Sequence, residues 1–240
     1  MENDHDLVSL SGQKIFRYTD GQKEWESPKG EESIQEISDH IETYIGEVNF
    51  VYHELLSDTV HIDVHMVFPK PDKPYYSLVT SGMSDLPMVT ETGDELYLEL
   101  CVALPPEWKL DQESLEDQVW YWPIQQLKML ARFPHKYDTY LGYGHTIPNG
   151  DPAIPFAENT KLNGIILLPN VMEDEGFSQL EIKDKKTIEF LSIVPLYTEE
   201  MNLKLRKGSS ELIDLFIKHG FSNIIDVNRK NVAKKRFGIL

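Results

Sequence analysis

The sequence predicts an α+β fold, a single domain in which a mixed β-sheet is flanked by helices. Two alternating apolar runs, Val60 to Phe68 and Leu96 to Leu104, stand among segments whose apolar residues recur at helical spacing. The resulting order of helix, strand cluster, helix, strands and helices describes that class. No internal repeat is present and no linker divides the chain. Its 240 residues, 40% hydrophobic and 26% charged, suffice for one sizeable core and exclude disordered and collagen-like classes.

Residues 1–30 mix charges, glycines and isolated aromatics without a period, and read as a lead segment that packs only in part; the domain spans 31–240. Ser33 and Glu36 make a capping-box pattern, Ile34, Ile37, Ile41, Ile45 and Val48 share a helical stripe, and Gly46 is placed to end the helix. Val48 to Leu56 leads to a turn at Ser57-Asp58. Val60, Ile62, Val64, Met66 and Phe68 then alternate with His61, Asp63 and His65, the pattern of a half-buried strand. Pro69, Pro71 and Pro74 break it, Tyr75 to Thr80 resumes an extended run, and Leu96, Leu98, Leu100, Val102 and Leu104 form a strand stopped by Pro105-Pro106.

In the middle, Ser114 and Asp117 resemble one helix start. Pro123 suits the first position of a second helix, which carries Ile124, Leu127, Leu130 and Ala131 inward and ends at Pro134. Asp138 to Phe156, dominated by glycine and proline, is a long loop, and loops of that length usually serve a function. Leu162 to Leu168 is a short strand, Gln179 to Ile182 and Thr187 to Pro195 form a hairpin about Asp184-Lys185, and Thr198 to Leu205 starts a helix. In the last helix Ser209 or Ser210 is the cap, Leu212, Ile213, Phe216 and Ile217 are the apolar face, and Gly220 is the end.

Basic residues number 23 and acidic residues 40, a net charge of -17. Nucleic-acid binding rests on lysine and arginine contacts to phosphate, so this surface disfavours it and steers basic partners inward. Solubility alone is the competing reading of the acidity. From Arg229 to Leu240 there are five basic residues and no acidic one, a tail that either folds back on the acidic body or stays solvated. A lone cysteine, Cys101, suits a reducing cytosol. The polar start has no signal-like apolar region and no stretch approaches the roughly 18 apolar residues of a membrane span, so a soluble cytoplasmic protein is expected.

Three groups of residues are candidates for chemistry. His61, Asp63 and His65 share a strand face and are metal-capable, with His53 or His145 as a further ligand. Same-face strand residues lie about 6.5 to 7 Å apart, which stretches such a triad, and a polar strand face bonded to its neighbours is the preferred reading. Gly82-Met83-Ser84-Asp85-Leu86 imitates a nucleophile elbow, but Leu86 replaces the final glycine and Pro87 restricts it. Ser81 to Asp94 reads either as an adaptable binding edge, with exposed Met83, Leu86 and Met88 beside Asp85, Glu91 and Asp94, or as a loop whose methionines plug the core. Trp108, Trp120, Tyr121 and Trp122 pack a helix onto the sheet or stack on a ligand. Phosphate-loop, dinucleotide, zincin and C-x-x-C motifs are absent, and neither a catalytic residue, a metal nor a cofactor is expected.

Four stretches in this order resemble the Suppressor of fused (SUFU) domain family. They are His61-Ile-Asp-Val64, Thr80-Ser-Gly-Met-Ser-Asp-Leu-Pro-Met88, Trp122-Pro-Ile running to Leu130-Ala-Arg-Phe133, and Phe190-Leu-Ser-Ile-Val-Pro-Leu-Tyr-Thr-Glu-Glu-Met201. The loop Gly144-His-Thr-Ile-Pro-Asn-Gly150 is similar to that of bacterial members, and the resemblance spans Val48 to Val227. It implies a non-enzymatic binding domain: animal members sequester transcription factors of the Hedgehog pathway, whereas bacterial members are thought to be immunity proteins that neutralise polymorphic toxins. Of the family's partner-contacting loop, Asp85 to Asp94 carries over, with Pro87 where animal relatives place an aromatic residue.

The resemblance and the acidity together imply an intracellular, bacterial-type immunity protein that binds a basic toxin domain stoichiometrically. Asp85, Leu86, Pro87, Met88, Glu91 and Asp94 form the expected contact, and neither nucleic acid nor membrane is an expected partner. The alternative is a scaffold or regulator that holds a partner peptide at a sheet edge, and a metal-dependent enzyme built on His61, Asp63 and His65 is the third.

Overall fold

Residues 7–18, 33–53, 60–183 and 185–234 are described by the computed structural model, and among them lie four helices and nine strands. Helix α1 (Ile34–Tyr44) precedes β1 (Phe50–Tyr52), β2 (Asp63–Val67), β3 (Tyr76–Ser81), β4 (Met88–Val89) and β5 (Glu95–Leu104). After α2 (Gln118–Tyr137) come β6 (Thr146–Pro148), β7 (Gly164–Pro169), β8 (Gln179–Ile182), β9 (Lys186–Leu196), α3 (Thr198–Lys207) and α4 (Ser209–Lys218). One sheet takes in every strand, in the order β1-β2-β3-β5-β9-β7-β6, with β4 added on β5 and β8 on β9. Its pairings are antiparallel except at the centre, where β5 and β9 run parallel from Tyr97 opposite Ile188 to Cys101 opposite Ser192. The sheet is therefore mixed and the fold α+β, as its periodicities predict.

Alternation sorts the side chains to two faces. Val64, Leu78, Leu100, Val102, Leu104 and Leu167 meet Trp122, Ile124, Leu127 and Leu130 of α2. On the other face Val79, Cys101 and Phe190 meet Ile37 and Ile41 of α1, and farther along β7 and β9 Ile166, Val194 and Leu196 meet Leu203 of α3 with Leu212 and Phe216 of α4. Helices on both sides overturn the half-buried reading of β2, whose residues are all buried. Asp63 and His65, each 2% exposed, tolerate this because both are hydrogen-bonded.

Several local expectations change. Ser33 makes no side-chain cap bond, so no capping box forms on α1; the chain leaves the helix through Gly46 at φ 147. The two expected middle helices are one, because α2 runs through both Pro123 and Pro134. Each proline removes one intrahelical hydrogen bond, and burial of the α2 face against the sheet outweighs that loss. Asp117 caps α2 by accepting from the Val119 amide at 2.9 Å, and Asp138 ends it at φ 49. Gly208, not a serine, is the N-cap of α4. The tryptophans follow the core reading: Trp122 is fully buried and stacked on Phe156 at 4.8 Å, and Trp108 donates to the Trp120 carbonyl at 3.0 Å. Part of the lead segment packs on the domain, with the Tyr18 hydroxyl 2.6 Å from Thr139 Oγ1 and the Ser11 amide bonded to the Leu205 carbonyl. Arg229, first of the basic tail, folds back onto Glu200. The turn at Ser57-Asp58, Asp184 and residues 235–240 lie outside the described residues.

Candidate functional site

Strand β5 changes partner along its length. Its end, Cys101 to Leu104, pairs with β3, and its start, Glu95 and Leu96, pairs with β4. Between them Tyr97 to Leu100 have no strand paired on that side, and the motif segment from Thr80 to Pro87 crosses the gap. Glu99 lies within it at 0% exposure. Its Oε1 accepts from the Gly82 amide (3.0 Å), the Ser84 amide (2.9 Å) and the Ser84 hydroxyl (2.7 Å), and its Oε2 accepts from the Thr80 hydroxyl (2.6 Å). The Leu100 amide donates to Thr80 Oγ1 at 2.8 Å in place of a strand partner. One carboxylate thus satisfies the donors of a loop that no ladder reaches. Burial pushes the Glu99 pKa up, and the bonds from Thr80, Ser84 and Gly82 pull it partly back.

The motif's residue types follow from this seat. Gly82 stands at φ 108, and a Cβ there would lie 1.8 Å from the His61 carbonyl oxygen, so the position accepts glycine alone. The chain then enters a single 3-10 turn, Met83–Asp85. His135 Nε2 donates to the Met83 carbonyl at 2.8 Å and Lys186 Nζ to the Ser84 carbonyl at 2.7 Å. Ser84 is fully buried with its hydroxyl turned onto Glu99, so it presents no nucleophile to a substrate and the elbow reading falls.

The expected contact residues divide in two. Met83 and Met88 are 0% and 2% exposed and plug the core, which decides for the second of the two readings of this loop and corrects the placing of Met88 in the contact surface. Met88 is drawn in by its pairing with Leu96, and its sulfur accepts the Leu141 amide at 3.5 Å. Asp85, Leu86 and Pro87 are half-buried, Leu86 against the main core. Glu91 and Asp94 are exposed on the turn joining β4 to β5. Glu91 pairs with Lys14 at 2.6 Å, and Asp94 accepts from the Thr92 hydroxyl at 2.6 Å. The structure adds Val89, 56% exposed, and Glu95 to the same hairpin.

His61, Asp63 and His65 do not converge. The two Asp63 oxygens are taken separately, Oδ1 by His61 Nε2 and Oδ2 by His53 Nδ1, each at 2.9 Å, while His65 Nε2 turns to Ser81 Oγ at 2.9 Å. His145 lies elsewhere, against Tyr140. Burial lowers the His65 pKa; Asp63 raises it and His53 lowers it further, both by smaller amounts. Among the described residues no group of three histidine, cysteine, aspartate or glutamate side chains is arranged to hold a metal ion. The cluster instead ties β2 to the start of the motif segment.

Sequence reasoning did not single out Glu99, although its position offers a signal: one acidic residue on the strand between Leu98 and Leu100, a place that needs a buried partner.

Similar proteins bear on this arrangement. The model of the Suppressor of fused protein (SUFU) family matches residues 58–230. A SUFU homolog from Neisseria gonorrhoeae has a similar structure, with a TM-score of 0.61 at 16% identity over 84% of this chain and 97% of that one. The Sufu-Fu complex crystal structure matches with a TM-score of 0.59 at 17% identity, over 85% and 93% of the two chains. Drosophila Suppressor of Fused matches with a TM-score of 0.50 at 16% identity, over 72% of this chain and 42% of that one. No curated protein matches in sequence. The structural likenesses show a common fold, the family match covers most of the sequence including the Glu99-bound motif, and the chain therefore belongs to the Suppressor of fused (SUFU) family.

Proposed function

We propose that this SUFU domain is an intracellular immunity-type protein that captures a basic toxin domain and blocks it stoichiometrically. The observation that carries the reading is an acidic hairpin held on a rigid seat, in a chain of net charge -17. Asp85, Glu91, Asp94 and Glu95 supply the charge, and half-buried Leu86 and Pro87 with exposed Val89 supply apolar contact. Met88 acts from beneath, as the plug that sets the hairpin's height. Opposite charge accelerates capture, and an apolar centre slows release. The bonds to Glu99 order the segment in advance, so binding loses little conformational entropy there. The reading assigns no catalytic residue, cofactor, nucleic acid or membrane; among the described residues no helix is long and apolar enough to cross a membrane.

The test is co-production with the protein encoded beside its gene. A stoichiometric complex stable at physiological salt, together with loss of that protein's toxicity, is the expected result. A neighbour that is harmless alone, or equally toxic with and without this chain, overturns the reading.

A second reading is a scaffold that holds a partner peptide along a sheet edge. It is supported by the fold shared with the Sufu-Fu complex and by the short edge strand β1, where Phe50 is 49% exposed. It expects pairing of an extended peptide with β1 and no effect of the acidic hairpin.

A further inference from the structure

Two stretches from distant parts of the chain close on α3. The lead segment turns back on itself through a bridge between Val8 and Lys14. Ser11 at its tip donates its amide to the Leu205 carbonyl at 3.1 Å and its hydroxyl to the Lys204 carbonyl at 3.3 Å. Residues 231–234 run beside the helix: the Val232 amide donates to Glu200 Oε1 at 2.9 Å, and Asn231 Nδ2 donates to Glu199 Oε2 at 2.8 Å. Between these walls lies a furrow of two adjoining hollows, about 550 and 660 Å³, which share Glu199 and Lys234. Glu199, Asn202 and Arg206 follow one another at helical spacing along it, a run of about 10 Å. Both walls lie outside the residues 58–230 that the family model matches.

The furrow reverses the sign of the surface. Lys161, Arg206 and Lys234 line it against one acid, Glu199, which Asn231 already engages. Among the described residues no carboxylate pairs with any of the three cations, and Arg206 reaches the Asn202 carbonyl of its own helix. In a chain with 40 acidic residues against 23 basic ones, that makes a local positive excess. Apolar surface lies uncovered beside it. Leu205 and Ala233 are half-buried in the lining, and Leu10 stands next to them with 85% of its surface exposed. None of the residues proposed for the acidic hairpin lines the furrow.

We propose that this furrow is a docking site for a short acidic peptide segment of a partner protein. One bulky apolar side chain of the segment sits on Leu10, Leu205 and Ala233, and carboxylates around it meet Lys161, Arg206 and Lys234. Charge complementarity selects this occupant. A second copy of the chain would set its whole charge of -17 against the same charge here, whereas a short segment brings only the carboxylates that the cations face. The chain's own continuation past Lys234, Lys235-Arg236, adds cations to a place that already has an excess of them. The walls are tied to α3 by hydrogen bonds before anything binds, so docking orders little of the protein. At about 3.3 Å per extended residue, the run along α3 takes about three residues of the partner.

The experiment is fluorescence anisotropy of a labelled glutamate-rich peptide with one central leucine, titrated with the full chain at low and at physiological ionic strength. Saturable binding that weakens with salt is expected, against the repulsion of a protein of net charge -17. Lys161→Glu with Lys234→Glu should weaken it about tenfold or more. Lys183→Glu with Lys218→Glu, the same charge change outside the furrow, should weaken it by less than about twofold. Leu10→Ser should weaken binding of the leucine peptide about threefold or more, and leave unchanged that of a counterpart with serine for the leucine. All of the substituted side chains are exposed, so the fold is retained. The absence of saturable binding, which leaves the furrow to residues 235–240 or to solvent, overturns the proposal. So do equal binding of a counterpart with glutamine for glutamate, equal losses in the two double variants, and a Leu10→Ser loss that is the same for both peptides. Self-association of the chain in sedimentation velocity, abolished by Lys161→Glu with Lys234→Glu, makes a second copy the occupant and overturns it as well.

Discussion

The amide and the hydroxyl of Ser84 donate to the same oxygen of Glu99, at 2.9 and 2.7 Å. A serine in that turn is therefore a structural donor, and the acid on the neighbouring strand organises the family's motif segment. Glu99→Ala strands four donors and opens a cavity, and should cost about 4 kcal/mol. Glu99→Gln keeps an oxygen for Ser84 and Gly82 and offers its amide to Thr80 Oγ1, so it should cost about 1 kcal/mol. Urea denaturation of the two variants checks the ordering; equal losses would show that the negative charge, which both variants remove, and not the side chain's shape or its neutral hydrogen bonds, holds the segment.

Glu99 also makes a pH signature. Its pKa is raised in the folded chain, so the native state holds that proton more tightly than the unfolded one. The stability it contributes is complete below the ordinary glutamate range and declines as pH rises toward the folded pKa. Glu99→Gln does not titrate at this position. The unfolding free energy of the wild type minus that of Glu99→Gln should therefore fall as pH rises from about 4. A difference that stays flat, or grows with pH, contradicts the raised pKa.

Gly82→Ala should disrupt the segment more severely than its size suggests. The residue combines φ 108 with a backbone oxygen 1.8 Å from the new Cβ, and carbonyl backbone cannot rotate away as a side chain would. A loss of about 3 kcal/mol or more is expected, with amide shifts concentrated between His61 and Met88. Near-wild-type stability would mean that β2 and the turn move apart freely.

Arg229 closes the C-terminal region over α3. Its guanidinium reaches both Glu200 oxygens, at 2.7 and 2.5 Å, and lies 5.1 Å from the Tyr197 ring and 5.3 Å from the Phe216 ring. Arg229→Met leaves the fully buried Glu200 without its cation and should cost about 3 to 5 kcal/mol. Adding Glu200→Gln should restore part of that loss, as calorimetric melting of the single and double variants will measure.

The proposed capture surface gives a kinetic prediction. Glu91→Lys, Asp94→Lys and Glu95→Lys together should slow association with the basic partner about tenfold or more at low ionic strength, with a much smaller effect at high salt. All three side chains are exposed, so the fold should be retained. Stopped-flow association rates that ignore the reversal remove the electrostatic part of the reading.

The apolar patterns were readable: the stripe of α1, the alternating leucines of β5, the short apolar run of β7 and the hairpin of β8 and β9 each name their element. What they could not carry was information from across the fold. Asp63 and His65 read as the polar face of a half-buried strand, bonded to neighbouring strands or water, because period alone does not reveal that they are buried or that His53, His61 and Ser81 are the partners. Met88 read either as exposed or as a core plug, because its burial depends on pairing with Leu96 across a turn. Glu99 was hidden for the same reason, since its partners lie 15 to 19 residues away. Pro123 and Pro134 marked helix ends by local rule, and the core beneath α2 overrode them. At the hairpin, Glu91 and Asp94 are exposed, as acids in a turn that owes little to distant packing.

The parallel contact between β5 and β9 joins residues 97–101 to 188–192, on opposite sides of α2 and the long loop. During synthesis, the strands made first present an open central edge until about ninety further residues have left the ribosome. Pairing across such a separation is intrinsically slow. A nascent chain cut short before Lys186 should therefore be protease-sensitive and prone to associate through β5, whereas one that extends past Leu196 can complete its sheet.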